Sequence, residues 1–175
     1  MKYIVISDIH GIADNLPLIK EKSQDCEKII LLGDLYYADY YHRFSNSYNK
    51  EFVEEFLISI KDKLICIRGN CDSEEAVKKS SFPIQEGLVQ ISKNPLIFAT
   101  HGHLYNEKNW EQDQAILLFG HYHIPIIQKR NDCIYVNPGS ISLPRGKEKP
   151  SYAILTEKEI TIYDIENNVL DSIRL

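Results

Sequence analysis

Five short apolar runs punctuate the first two thirds of the chain, at residues 3–6, 29–32, 64–67, 96–99 and 115–119. None alternates with polar positions, and such continuous runs are the mark of strands buried on both faces. Helical patterns separate the first three. Leu16 and Ile19 recur at helical spacing after Asp14, a candidate N-cap. Phe52, Val53, Phe56, Leu57 and Ile60 form one apolar face after Asn49. Ser73, followed by Glu74, Glu75 and Ala76, predicts the start of a third, shorter helix. Beyond residue 80 the pattern changes to hairpins. Residues 88–91 are expected to pair with 96–99, and Asn131-Asp132 is a two-residue turn signal between 126–130 and 133–137. Residues 152–156, 160–165 and 169–173 predict a closing meander. Strands alternating with helices, then hairpins, predict a mixed α/β (α+β) architecture of two packed sheets with helices outside. No repeat, linker or low-complexity segment divides residues 1–175, so a single domain is expected.

Every one of the five runs leads into a polar residue able to bind a metal. Asp8 and His10 follow the first, Asp34 the second, Asn70 the third, His101 the fourth, and His121 and His123 the fifth. Carboxyl ends of strands in an open α/β sheet face one crevice, so these side chains can converge. A single Asp or Asn after a strand is an ordinary turn former, but turn chemistry does not explain all five. Two Asp, one Asn and four His make an oxygen and nitrogen site without thiolate. It suits Mn first, with Zn, Fe, Ni or Co as alternatives. Seven side chains exceed what one ion takes once substrate has room, whereas two divalent metal ions about 3.5–4 Å apart accommodate them.

The order Asp8-Ile9-His10, Gly33-Asp34, Gly69-Asn70, His101-Gly102 and Gly120-His121-Tyr122-His123 resembles the signature of the calcineurin-like metallophosphoesterases. Gly69-Asn70-Cys71-Asp72-Ser73, His101-Gly102-His103-Leu104-Tyr105 and Asn137-Pro138-Gly139-Ser140 are similar to their small YfcE-like phosphodiesterase branch. The likeness runs the length of the chain. It implies a four-layer αββα sandwich of two mixed β-sheets flanked by helices. It also implies a division of ligands: Asp8, His10 and His123 on one ion, Asn70, His101 and His121 on the other, with Asp34 bridging. The activity implied is a phosphodiesterase on small organic phosphodiesters. A phosphomonoesterase or nuclease on the same site is the alternative, as is a metal-binding scaffold protein without turnover. Water shared by two divalent ions loses its proton near neutral pH and could then attack phosphorus in line.

Cys71 departs from the wider superfamily, which places a His there to serve the leaving oxygen. A thiol in that part suits good leaving groups; the rival reading is that it packs beneath Asp72. His103, two residues past His101, is read as facing the substrate phosphate, with capping a turn as the rival. Asp34, Asn70, Cys71 and His103 are therefore the catalytic candidates, while Asp72 and Ser73 are expected to cap the third helix. The aromatic segment 36–44, with Arg43, follows Asp34. It would either stack an aryl or base group of the substrate or make a homodimer or higher oligomer contact. Arg145 is read as a loop cation near the rim.

Composition narrows the partners. The chain is 43% apolar and 26% charged, as folded soluble proteins are. A net charge of -5 repels a polyanion and no basic stripe offsets it, so extended nucleic acid is not the expected partner. The four cysteines form no CxxC pair, and no apolar stretch approaches the roughly 20 residues of a membrane span. Met1 leads straight into the first run. A cytoplasmic enzyme with no membrane partner is expected.

Overall fold

The structure is a computed structural model and describes residues 1–36 and 47–175. The first half reads β1 (Lys2–Ile6), α1 (Leu16–Lys22), β2 (Lys28–Leu31), α2 (Lys50–Ser59), β3 (Leu64–Ile67), α3 (Glu74–Lys79) and β4 (Ile84–Gln85). Then come β5 (Val89–Lys93), β6 (Leu96–Ala99), β7 (Ala115–Leu118), β8 (Pro125–Arg130) and β9 (Cys133–Pro138). The meander β10 (Ser151–Thr156), β11 (Glu159–Asp164) and β12 (Val169–Arg174) closes the chain. All five apolar runs are strands. Two mixed sheets result, with strand orders β12-β11-β10-β1-β2-β3-β4 and β5-β6-β7-β9-β8.

The two-residue period of a strand sorts its side chains between layers. In β1, Ile4 and Ile6 join the core beneath α1 and α2, whereas Val5 faces the space between the sheets. In β2, Ile29 and Leu31 face the helices and Ile30 the other sheet. The smaller sheet sends Ile97, Ala99, Ile116 and Leu118 into the same middle layer. Its outer face carries Leu117, Phe119 and Tyr135 beneath Trp110, whose segment, 101–114, runs in turns rather than a regular helix. Each fully buried Ile or Leu contributes about 1.5–3 kcal/mol, so this layering is the main source of cohesion.

Local signals behave unevenly. Asn49 caps α2 by accepting from Phe52 N–H, and Ser73 caps α3 by accepting from Ala76 N–H. Asp14 is not the cap of α1. That position is Asn15, and its side chain instead donates to Ile141 O at 2.8 Å, tying the helix to a distant loop. The short strand β4 was not foreseen, because two residues paired to β3 show no period. Except for Tyr36, the aromatic segment 36–44 lies outside the described residues. Among the described residues no helix is long and apolar enough to cross a membrane.

Candidate metal centre

Parallel pairing of β1, β2 and β3 in one sheet, and of β6, β7 and β9 in the other, carries the carboxyl ends of all six strands to one place. There Asp8 Oδ1 lies 3.3 Å from His123 Nε2 and 3.9 Å from His10 Nε2. The two imidazole nitrogens are themselves 3.3 Å apart. Asp34 Oδ2 lies 3.6 Å from His10 Nε2 and 3.4 Å from His101 Nε2, and His101 Nε2 is 2.9 Å from Asn70 Oδ1. His121 stands at the margin: its ring centroid is 5.2 Å from that of His101, and its backbone N–H donates to Asp8 Oδ2 at 3.2 Å. Donor atoms of Asp8, His10 and His123 fall within 4.8 Å of one another, as do those of Asp8, Asp34 and His101.

The donor chemistry fits a cation. Each of His101 and His123 donates its Nδ1–H to a backbone carbonyl, Leu32 O at 2.6 Å and Leu143 O at 2.5 Å. This leaves Nε2 as the atom turned to the cluster, the usual way of orienting a metal-binding imidazole. An unprotonated Nε2 beside carboxylate and amide oxygens is acceptor against acceptor. Either a proton or a metal ion resolves that repulsion. Asp8 Oδ1, fully buried, has no hydrogen-bond partner among the described residues, which is costly unless a cation completes it.

Electrostatics agree. Burial alone would raise the Asp34 carboxyl, but His101, the Cys71 N–H and His10 outweigh it and hold the group well below the usual carboxylate range. Burial lowers the proton affinity of His101 and His123, yet contact with Asp34 and Asp8 respectively more than reverses this. His103 and His121 are pulled below the ordinary imidazole value by burial and by the neighbouring His101. The Cys71 thiol is pushed up to about 12 by burial and by the charge of Asp34, so it is neutral at pH 7. Its sulfur comes within 4.8 Å of donors of His10 and Asp34 and thus faces the cluster.

The supporting shell was less legible. Asp72 does not cap α3. Its buried carboxylate accepts from Asp34 N–H, Leu35 N–H and Gly69 N–H, each at 2.8 Å, and so clasps the loops after β2 and β3 together. Ser140 Oγ donates to Asp8 O at 2.8 Å, and Asn137 Nδ2 donates to Gly120 O at 2.7 Å, so the end of β9 and the loop after it brace two other loops. A Cβ at Gly69 would fall 2.0 Å from Asp34 Oδ1, and one at Gly120 only 1.9 Å from Ser7 Oγ. Only glycine permits either approach. Asp8, His10, Asp34, His121 and His123 all hold positive φ, between 50° and 69°. His103 is exposed, with its ring 5.3 Å from that of His101, and Arg145 N–H donates to His123 O at 3.1 Å.

Comparison with known proteins converges on one family. The calcineurin-like phosphoesterase superfamily domain matches residues 1–159. Phosphodiesterase YfcE of Escherichia coli is 30% identical over 167 residues, spanning 93% of this chain and 91% of that one. A solved structure of that E. coli phosphoesterase superposes with a TM-score of 0.89 at 29% identity, covering 99% of this chain and 98% of the other. Vacuolar Protein Sorting 29 from Cryptosporidium parvum shares the fold, with a TM-score of 0.63 at 18% identity over 99% of this chain and 97% of its own. The chain belongs to the calcineurin-like phosphoesterase superfamily and is a metal-dependent phosphoric ester hydrolase.

Proposed function

We propose that this protein is a binuclear metal-dependent phosphodiesterase acting on small organic phosphodiesters. The observation that carries the reading is the position of Asp34: one carboxylate oxygen reaches toward His10 on one side and His101 on the other. A shared carboxylate between two sets of donors is what a two-metal site requires. Asp8, His10 and His123 would hold one ion, Asn70, His101 and His121 the second, and Asp34 both. Bound divalent ions would supply positive charge to the phosphate oxygens and acidify water at neutral pH. Mn²⁺ is the proposed ion, since the seven donors are oxygen and nitrogen.

The remaining work falls to positioning. His103, neutral because its proton affinity is depressed, can hydrogen-bond a phosphate oxygen without repelling the cations. Cys71, a neutral thiol, is a poor proton donor to an alkoxide, which favours arms that leave readily. The four cysteines are free, as suits a reducing cytoplasm. The name phosphodiesterase carried by the E. coli relative supports the substrate class. Purified protein loaded with Mn²⁺ should hydrolyse bis(4-nitrophenyl) phosphate faster than 4-nitrophenyl phosphate and bind two ions per chain. Hydrolysis of the monoester alone, or metal binding without turnover of either ester, would overturn the assignment.

A further inference from the structure

A groove of about 480 Å³ opens beside Asn70 and His103, walled by Arg68, Glu86 and Leu104. Its chemistry comes from a pairing that β4 creates. Arg68 directly follows β3 and Glu86 directly follows β4, and Arg68 N–H donates to Gln85 O at 2.7 Å. The side chains therefore meet, with Arg68 Nη1 donating to Glu86 Oε1 at 2.7 Å. Arg68 Nε donates to Asp72 O at 3.1 Å, on the loop whose carboxylate also grips Asp34. The guanidinium is thus fixed relative to the metal ligands.

A guanidinium has five N–H donors and these contacts engage two of them, while a carboxylate can accept several hydrogen bonds. The charges cancel, so the groove wall offers donors and acceptors without net charge. An anionic arm would be repelled by Glu86 and a cationic arm by Arg68. A polyol is repelled by neither, because its hydroxyls donate to the carboxylate and accept from the guanidinium, and both contacts are charge-assisted. Leu104, 55% exposed, adds an apolar rim against which a carbon chain can lie.

We infer that this groove is the subsite for an uncharged, hydroxyl-bearing ester arm, such as a glyceryl or ribosyl group, and that Arg68 and Glu86 read its hydroxyls. The inference rests on the phosphodiesterase reading and adds the class of arm. The test is calorimetric titration of the Mn²⁺-loaded protein with glycerol 3-phosphate and with propyl phosphate, which share the phosphate and the three-carbon chain. Glycerol 3-phosphate should bind about tenfold more tightly, the value of one charge-assisted hydrogen bond. Glu86→Ala alters a side chain that is 64% exposed, so folding should tolerate it. The variant should bring the ratio near one: losing the negative charge acts on both phosphates alike, whereas losing the hydroxyl acceptor weakens glycerol 3-phosphate selectively. Equal affinities in the wild type, or a ratio that survives Glu86→Ala, overturns the subsite. An intact ratio in protein that hydrolyses no diester supports the subsite and refutes the phosphodiesterase reading alone.

Discussion

The rim of the candidate metal centre and the meander β10–β12 make their turns in opposite ways. At the rim, five residues with side chains hold left-handed backbone, and each such conformation costs about 1–2 kcal/mol in an L-residue. In the turn from β11 to β12 one residue does so, Asn167; Asn, like the Asp and His of the rim, tolerates it better than other types. That turn is satisfied locally: Asp164 accepts from Glu166 N–H and Asn168 N–H, both at 2.9 Å. At the rim the satisfying groups come from far away, as Asp72 reaches the Asp34 loop and Ser140 reaches Asp8. Strain is concentrated where side chains must converge, and it is carried by burial elsewhere. A few fully buried side chains such as Ile4, Ile6, Ile160 and Ile162 are enough to offset it, at about 1.5–3 kcal/mol each.

The severest test of this contrast is Asp34→Asn. It should lower turnover by more than the roughly 10–100-fold that losing an outer partner of a metal site costs, and reduce bound metal from two ions toward one or none. Steady-state rates and metal analysis check both; two ions retained with full activity would remove Asp34 from the bridging position. Next in size is Asp72→Ala. Three buried N–H groups lose their acceptor, so activity should fall about 10–100-fold. Stability should drop by about 1–3 kcal/mol in urea unfolding. A variant with altered stability but native kcat would make Asp72 purely structural.

A smaller effect bears on strain directly. Without metal, His121→Gly should be more stable than His121→Ala by about 1 kcal/mol, because only glycine adopts this backbone freely. Thermal unfolding of the chelated variants gives the difference, and equal stabilities would mean that the rim is relaxed. The smallest effect belongs to the meander. The Asn168 side chain and backbone N–H, helped by Lys149, hold the Asp164 carboxyl below its ordinary value. A depressed carboxyl adds stability above its unfolded pKa of about 4 and loses it as pH falls through the folded value. Asp164→Asn should therefore be less stable than wild type at pH 7 and converge with it on acidification. A gap that stays constant from pH 7 to pH 3 would separate the turn from this carboxylate's charge.

Much of the fold was legible in the residues. Runs such as 29–32 and 115–119 are strands because a short extended element can bury four consecutive apolar side chains on its two faces. Asn131-Asp132 joins β8 to β9, as a turn-forming pair between two apolar runs should. What failed lacked a local cause. Asp14 looked like a cap, but Asn15 holds that place and is recruited by Ile141 O. Asp72 looked like a cap too, but three N–H groups from two loops claim its carboxylate.

The order of the strands' residues, their periodicity and the polar side chain at each carboxyl end are all written in the residues alone. These follow from local burial, which neighbouring residues specify. The packed fold sets Asp34 between His10 and His101, leaves Asp8 Oδ1 without a hydrogen-bond partner among the described residues, and brings Arg68 to Glu86. Such facts depend on contacts between residues 18 or more positions apart. Left-handed backbone at five donors and glycine at 69 and 120 are consequences of that close approach. No local pattern announces them.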